Sequence, residues 1–182
     1  MRADARRNYE ALVTAARALF LERGSEAPLD EVAKRAGVGA GTLYRHFPSR
    51  TDLLAAVYVS DIEEMCDTAE KLTDLEPGPA LSEYIDLHLS FSMRNNGIKK
   101  AIREMLADVD PQPQILMLCK SRMTDVSAEM LVRAQDAGVA RKDVDPATFL
   151  RMIHGISLAC EDHPQLAPAM LQVMKDGLLK TG

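Results

Sequence analysis

A run of hydrogen-bond donors lies just after residue 40, where Thr42, Tyr44, Arg45 and His46 follow one another closely. Each of these side chains can donate to a phosphate oxygen or to a base edge. Gly41 stands beside them and lets a backbone come close to another surface. The chemistry that these residue types offer is recognition of nucleic acid.

Two apolar residues decide which way these donors point. At about 100° per residue, a helix that begins at Ala40 places Leu43 and Phe47 together on one side, which is the expected core face. Gly41 and the donors then lie opposite that face or beside it. A helix of about seven residues with one buried side and one donor-rich side suits the major groove of DNA.

The elements around this run form a helix-turn-helix. A helix is predicted over residues 29–36, with Pro28 near its first turn, and Gly37-Val38-Gly39 supplies the turn before the short helix. The apolar periodicity of residues 9–20 predicts an earlier helix, and Gly24 marks its C-terminal end. Because many helical proteins contain such a corner, the pattern alone leaves other helical functions open.

Helical periodicity continues through the rest of the chain, and strand-like alternation is almost absent. Capping signals begin two of the later helices, at Ser49 with Asp52 and at Asp145-Pro146. Six later helices are predicted, at 49–72, 80–93, 99–106, 113–137, 146–161 and 166–179, with Asp110-Pro111 as one break. The expected fold is all-α, about nine helices, with a helix-turn-helix DNA-binding domain at 1–48 and a helical effector-binding and dimerisation domain at 49–182.

Charge is distributed unevenly along the chain. The net charge is −5, but residues 1–50 carry nine Lys and Arg against six Asp and Glu, and the remainder carries 13 against 21. This asymmetry favours a basic head that meets a polyanion, although a solvated face is the alternative. No apolar stretch reaches the length of a membrane span, and the charged N-terminus is unlike a signal peptide, so a cytoplasmic protein without a membrane partner is expected.

Catalytic and metal-binding patterns are not apparent. The three cysteines, Cys66, Cys119 and Cys160, are widely spaced and are expected to be buried thiols in a reducing cytosol. The four histidines lack metal-ligand spacing, and neither a nucleophile triad nor a phosphate loop occurs. We therefore predict no metal, no cofactor and no enzymatic activity.

Residues 29–54, LDEVAKRAGVGAGTLYRHFPSRTDLL, closely resemble the DNA-binding signature of the TetR family of transcriptional regulators. The resemblance implies that the third helix reads the major groove and that Tyr44, His46 and Arg50 hold phosphates. It also implies a cytoplasmic homodimer, most often a repressor, that leaves a near-palindromic DNA operator when a small molecule binds. The predicted DNA-binding residues are Ala40, Gly41, Thr42, Tyr44, Arg45, His46 and Arg50.

Two positions depart from the family pattern. Ala27-Pro28 stands where members often open the second helix with Thr or Ser, and Gly39 stands where Ser often caps the third. Both departures remove an expected phosphate contact. The N-terminal arginines, Arg2, Arg6 and Arg7, are candidates to compensate, and a frayed, solvated tail is the alternative.

The body is rich in methionine, which is typical of adaptable binding surfaces as well as of ordinary cores. His88 and His154 lie on apolar helix faces, where a histidine either anchors a ligand or is a satisfied core residue. We expect an apolar or amphipathic small-molecule effector. The predicted effector-binding residues are Met65, His88, Phe91, Met117, Met123 and His154.

The last two helices each carry an apolar stripe, and the resemblance implies that they pair with their copies in a homodimer. The predicted interface residues are Ile153, Ile156, Leu171, Met174 and Leu178. The alternative is that these stripes only close the core of one chain. Two other functions remain open: an enzyme or carrier built on a helical bundle, and an architectural protein that binds any DNA without an effector.

Overall fold

The computed structural model describes residues 2–105 and 114–180, and these residues form nine α-helices and one isolated β-bridge, between Ala140 and Leu179. The all-α prediction is confirmed. The helices are α1 (Arg2–Arg23), α2 (Leu29–Arg35), α3 (Ala40–His46), α4 (Arg50–Lys71), α5 (Pro77–Arg94), α6 (Asn96–Met105), α7 (Gln114–Asp136), α8 (Pro146–Ala159) and α9 (Ala167–Leu178). The break predicted at Asp110-Pro111 lies outside the described residues.

The helix ends follow the sequence signals. The backbone N–H of Ser49 donates to Asp52 Oδ2 at 3.0 Å, and the N–H of Asp52 donates to Ser49 Oγ at 3.2 Å, which is a reciprocal capping box before α4. Asp145 accepts from the N–H groups of Ala147 and Thr148 and caps α8. Both predicted starts are confirmed.

α1 begins well before the predicted start at Tyr9. Its first turns contain the pairs Arg7–Asp4 and Arg6–Glu10, spaced three and four residues apart. Such pairs stabilise an exposed helix. Arg6 and Arg7 therefore stabilise the first turns of α1, which is a correction to the alternative of a frayed tail.

The chain divides into two compact units, and one division between them falls inside α4, after Asp61. The first unit comprises Met1–Asp61 and Gly97–Leu116. In it, α1, α2 and α3 pack on one another, and the start of α4 contributes buried Leu53 and Leu54. An ion pair lies at the end of this segment, with the Nε of half-buried Arg17 2.5 Å from Oδ1 of buried Asp61.

The second unit comprises Ile62–Asn96 and Met117–Gly182. α5 packs extensively against α8, and α9 packs on both. The largest buried side chains include Tyr84 and Phe91 of α5 and Phe149 of α8. The core of this unit is therefore aromatic where α5 and α8 meet.

Candidate functional site

α3 is anchored by two side chains and leaves most of its surface open. Leu43 and Phe47 are buried, and α3 packs against α1 and α2. Thr42 and His46 are half-buried, and the exposed residues of α3 are Ala40, Gly41, Tyr44 and Arg45. The predicted division of this helix into a core side and a donor-rich side is confirmed. That the donors contact DNA remains a prediction.

Gly41 serves neither the packing nor the backbone of its own fold. A Cβ added there would meet nothing within 4 Å, and the residue lies within a regular helix. Because no neighbour fills the space beside Gly41, another molecule can approach the backbone of α3 closely at this position.

Arg45 differs from its neighbouring arginines in the use of its charge. Arg35 donates two hydrogen bonds of 2.8 Å to Glu22 and lowers the pKa of that carboxyl, and Arg23 lies 2.7 Å from Glu31. Arg45 makes no ion pair or side-chain hydrogen bond with residues 2–105 or 114–180. Its guanidinium is therefore available to an external acceptor.

An aromatic cluster supports the end of α3. The Tyr9 ring lies 5.1 Å from Phe47 and meets the His46 ring edge-on, with centroids 6.2 Å apart. Because Phe47 is buried, the cluster ties half-buried His46 to the core of the first unit. The sequence pattern did not indicate this role for Tyr9.

Arg50 is held by the loop between α1 and α2. Its Nη1 donates to the carbonyl oxygens of Ser25 and Ala27, each at 2.8 Å. That loop leads into Pro28, where the sequence lacks the expected phosphate-contacting hydroxyl. Arg50 therefore has a structural role in positioning the start of α2, and its predicted phosphate contact is left to its other nitrogens.

The second candidate site lies in the second unit. Met65, His88, Phe91 and Met123 are buried and His154 is half-buried, as expected for residues around an internal ligand site. The His88 ring is 6.2 Å from the Phe91 ring and 5.3 Å from the His154 ring, so the structure brings these three together.

The prediction for Met117 requires a correction. Met117 is 58% exposed, because the buried stripe of α7 runs through Cys119, Met123 and Val126. Those residues repeat at helical spacing, and Met117 lies off their face. It therefore does not join the other predicted effector residues.

Sequence reasoning missed two residues of this site, Tyr84 as an anchor and Ser127. Tyr84 Oη lies 2.8 Å from His88 Nδ1 and 2.5 Å from Ser127 Oγ, and all three residues are buried. Tyr84 and His88 are four residues apart on α5, which could have indicated their pairing. Ser127 lies on α7, and nothing local predicts that contact.

The direction of donation along this chain follows from its last member. Ser127 Oγ donates to the carbonyl oxygen of Met123 at 2.7 Å, so it must accept from Tyr84. Tyr84 has one hydroxyl proton and accepts in turn from His88 Nδ1–H, which makes Nε2 the acceptor nitrogen of the neutral imidazole. Burial raises the pKa of Tyr84 and keeps its proton in place.

The described residues contain neither a metal-binding cluster nor a helix that could span a membrane. No group of three or more His, Cys, Asp or Glu in residues 2–105 and 114–180 could hold a metal ion. Across the same ranges, no helix combines the length and apolar character that crossing a bilayer requires. The three cysteines are buried, and burial raises the pKa of Cys66 to about 11, so this thiol is unreactive.

The predicted dimer residues are largely covered within the single chain. Ile153 is fully buried, Leu171 is half-buried, and Ile156, Met174 and Leu178 are almost entirely covered within the single chain. These stripes face α5 and each other, so they close the protomer core first. The exposed apolar residues here are Met152 and Leu158 of α8, Leu166 just before α9, and Val173 of α9, which is 73% exposed.

A groove of about 780 Å³ lies along this exposed surface. Met152 and Gly155 of α8 and Val173 and Gly177 of α9 line its sides, while Ile156, Met174 and Leu178 are also part of its lining. The glycines leave room for close approach, since a Cβ at either would meet nothing within 4 Å. The groove is suited to an apolar helix.

Comparisons with known proteins agree on the type of chain. Residues 12–57 match the family described as bacterial regulatory proteins, tetR family, and residues 76–180 match the C-terminal domain described as transcriptional regulator SbtR-like. Among curated proteins, the TetC protein of transposon Tn10 from Escherichia coli is 33% identical over 100 residues, which is 54% of this chain and 51% of that protein. The chain thus spans about half the length of that relative.

Solved structures give fuller coverage. The fold is similar to a TetR transcriptional regulator, SCO0520, from Streptomyces coelicolor, with a TM-score of 0.77, 28% identity and coverage of 96% of this chain and 99% of that one. A TetR transcription regulatory protein from Mycobacterium vanbaalenii aligns with a TM-score of 0.71, 30% identity, and coverage of 98% and 99%.

Proposed function

Because this chain belongs to the TetR family of transcriptional regulators, we propose that it is a homodimeric repressor whose near-palindromic operator is released when a small molecule binds. Members of the family are regulators rather than enzymes, and the chain is assigned no catalytic step. Its site of action is the cytoplasm, where bacterial DNA is located.

The exposed face of α3 is the observation that carries the DNA-binding proposal. Thr42, Tyr44 and Arg45 are presented by a helix that is held by Leu43 and Phe47. Arg45 has no internal partner in the described residues, and Gly41 permits close approach. A guanidinium so placed can make a bidentate contact to guanine in the major groove.

The groove of α8 and α9 supports the proposed homodimer. A single short helix reads too few base pairs for useful specificity, so two copies on half-sites about 34–36 Å apart are needed. The partner proposed for the groove is the same α8–α9 surface of a second copy, which would cover Met152 and Val173 in an isologous contact. Exposed apolar surface of this kind is typical of an interface.

The buried cluster of the second unit supports the proposed effector response. Tyr84, His88 and Ser127 place hydrogen-bonding groups inside a largely apolar core. A small molecule that binds there releases the operator only if it prefers a conformation with lower DNA affinity. The effector is expected to be largely apolar because the surrounding side chains are.

The test is a gel shift of the purified protein with the DNA that flanks its own gene, against a scrambled duplex of the same composition. Retention of the flanking DNA alone, in excess competitor, is the expected result. Equal retention of both duplexes at every salt concentration would contradict a specific repressor and indicate an architectural DNA-binding protein.

A further inference from the structure

A row of polar side chains follows the buried face of α5 where it meets α8. We name it the polar seam, and its members are Tyr84, His88 and Ser92 of α5, Asn95 at the C-terminal cap of α5, and His154 and Ser157 of α8. The α5 members repeat at intervals of four, four and three residues, which is one face of a helix. All four are fully buried.

Two contacts show that the two rows of the seam face each other. The rings of His88 and His154 lie 5.3 Å apart at one level. Further along, Asn96 Nδ2 donates to the carbonyl oxygen of Ser157 at 3.2 Å, and Ser157 Oγ donates to Asn96 Oδ1 at 3.2 Å. Ser92 lies on α5 between these two levels.

The seam is hydrogen-bonded through Tyr84 at one end and incomplete at the other. Tyr84 and His88 belong to the hydrogen-bonded chain that ends at the carbonyl oxygen of Met123. Among residues 2–105 and 114–180, Ser92 Oγ and Asn95 Oδ1 have no hydrogen-bond partner. Asn95 Nδ2 donates to the carbonyl oxygen of Phe91 at 3.1 Å, which fixes Oδ1 as the unpaired atom.

Unpaired polar atoms in a core are destabilising, and an apolar group of the same shape would serve the fold better. Such atoms in a native core therefore require an explanation outside the fold, and a bound molecule is one. The incomplete end lies beside His88 and Phe91, two residues already proposed for the effector site. The unpaired pair and the effector residues thus belong to one region.

The chemistry of the seam limits what it can bind. Asn95 Oδ1 only accepts, so its partner must donate, while the Ser92 hydroxyl can do either. The fully buried polar side chains of the described second unit, at 62–96 and 117–180, are serines, Asn95, His88 and Tyr84, with no Lys, Arg, Asp or Glu. A buried carboxylate or phosphate would therefore lack a strong counter-charge.

We propose that the polar seam selects an uncharged effector that carries a hydroxyl or N–H donor on an apolar body, with Asn95 Oδ1 and Ser92 Oγ as its hydrogen-bonding partners. This inference rests on the proposed effector response and names the chemical class of the ligand. The donor group of the ligand completes the seam, and its apolar part packs against neighbours such as Phe91.

The first test compares two buried serines in the full-length protein. Ser92→Ala removes an unpaired hydroxyl and should raise the melting temperature by about 2–4 °C, whereas Ser127→Ala removes the acceptor of Tyr84 and should lower it by at least as much. A serine that ordered water already satisfies would behave like Ser127. Destabilisation by Ser92→Ala would therefore overturn the proposal.

The second test uses three probes that share one apolar body: 4-propylphenol, 4-propylanisole and 4-propylbenzoate. Calorimetry should show that the phenol binds about tenfold more tightly than the anisole, which lacks the donor, and more tightly than the anionic benzoate. Asn95→Leu should reduce the preference for the phenol over the anisole to within about twofold. Equal binding of phenol and anisole, preference for benzoate, or no binding of any probe would overturn the proposal.

The gel shift without any probe separates this inference from the proposed function. Specific operator binding together with failure of the probe or serine tests would refute the ligand class and leave the regulator intact. Donor-dependent probe binding without specific operator binding would refute the repressor and leave the ligand site intact.

Discussion

The two units of the chain use polar side chains in opposite ways. In the first unit, Tyr44 and Arg45 are exposed on a helix that is held by apolar residues. In the second, Tyr84, His88 and Ser127 are buried and bond to one another. A surface that reads a large polyanion needs donors in water, and a site that encloses a small molecule needs them desolvated. The two arrangements match the two kinds of recognition proposed for the chain.

Asp61 is the exception in the first unit, because it is a buried carboxylate. Arg17→Met would leave it without the guanidinium 2.5 Å away, and the free energy of unfolding should fall by about 3–5 kcal/mol. Urea denaturation measures this loss. Arg6→Met, which removes an exposed pair with Glu10, is the matched control and should change stability by less than about 1 kcal/mol. Equal effects would mean that the burial of Asp61 is energetically unimportant.

Substitutions in the exposed groove test whether this apolar surface of the second unit forms the dimer interface. Val173→Arg combined with Gly155→Arg should give a monomer in light scattering and lower operator affinity by more than about 100-fold, since one reading helix is insufficient. The protomer should remain folded, because neither side chain serves its core. Val132→Arg places the same charge on exposed α7 and should remain dimeric. A dimer that survives the double substitution would place the interface elsewhere.

Substitution of Arg45 tests whether the exposed donors of the first unit recognise DNA bases. Arg45→Ala should cost about 1–3 kcal/mol on the operator and relax preference at one base pair per half-site. Binding to operator and scrambled duplexes across a salt series measures both. If the affinity for the two duplexes falls equally, Arg45 contacts only a phosphate. Base recognition must then come from Thr42 and the backbone around Gly41.

Substitution of Arg50 distinguishes a contact with DNA phosphate from a structural role within the protein. Arg50→Ala should weaken operator and scrambled DNA alike and lower the melting temperature, because the carbonyl groups of Ser25 and Ala27 lose their donor. If its remaining nitrogens also bind a phosphate, the salt slope should fall by about one unit. An unchanged slope would leave Arg50 as a positioning residue only.

The smallest effect is expected at the rim of the groove, where Arg141 hydrogen-bonds Asp143 and lowers the pKa of that carboxyl to about 2. In the unfolded chain the pKa of an aspartate is about 3.9. The pair therefore stabilises the fold above that pH, and the contribution is lost as the pH falls towards 2. The dependence of the melting temperature on pH across this window should become shallower in Asp143→Asn. Arg141→Met should have an equal effect. A pH profile identical to that of the unsubstituted protein would contradict the assignment.

Local signals predicted the elements well. The bounds of α3 and the caps at Ser49 and Asp145 follow from residues within one turn, so neighbouring sequence suffices to define them. Contacts between distant elements were not predictable in this way. Ser127 approaches Tyr84 only because α5 and α7 are packed together.

The dimer residues illustrate a different limit. An apolar stripe predicts which face of a helix is covered, but it does not say by what. Ile153 and Met174 are covered by their own chain, and the second face of α8 and α9 alternates small residues such as Gly155 with larger ones such as Val173. That pattern resembles an ordinary surface until the fold shows it forming a groove.

The division of labour within α3 has an evolutionary consequence. Leu43 is buried and Ala40, Gly41, Tyr44 and Arg45 are exposed, so these four exposed positions can change with little penalty to folding. Duplicated copies of such a gene can diverge in operator preference while their cores stay the same. At Gly41 even a gain in helix stability is accessible by a single substitution, since an added Cβ meets no neighbour. Selection that retains glycine there would act on the DNA partner rather than on the protein fold.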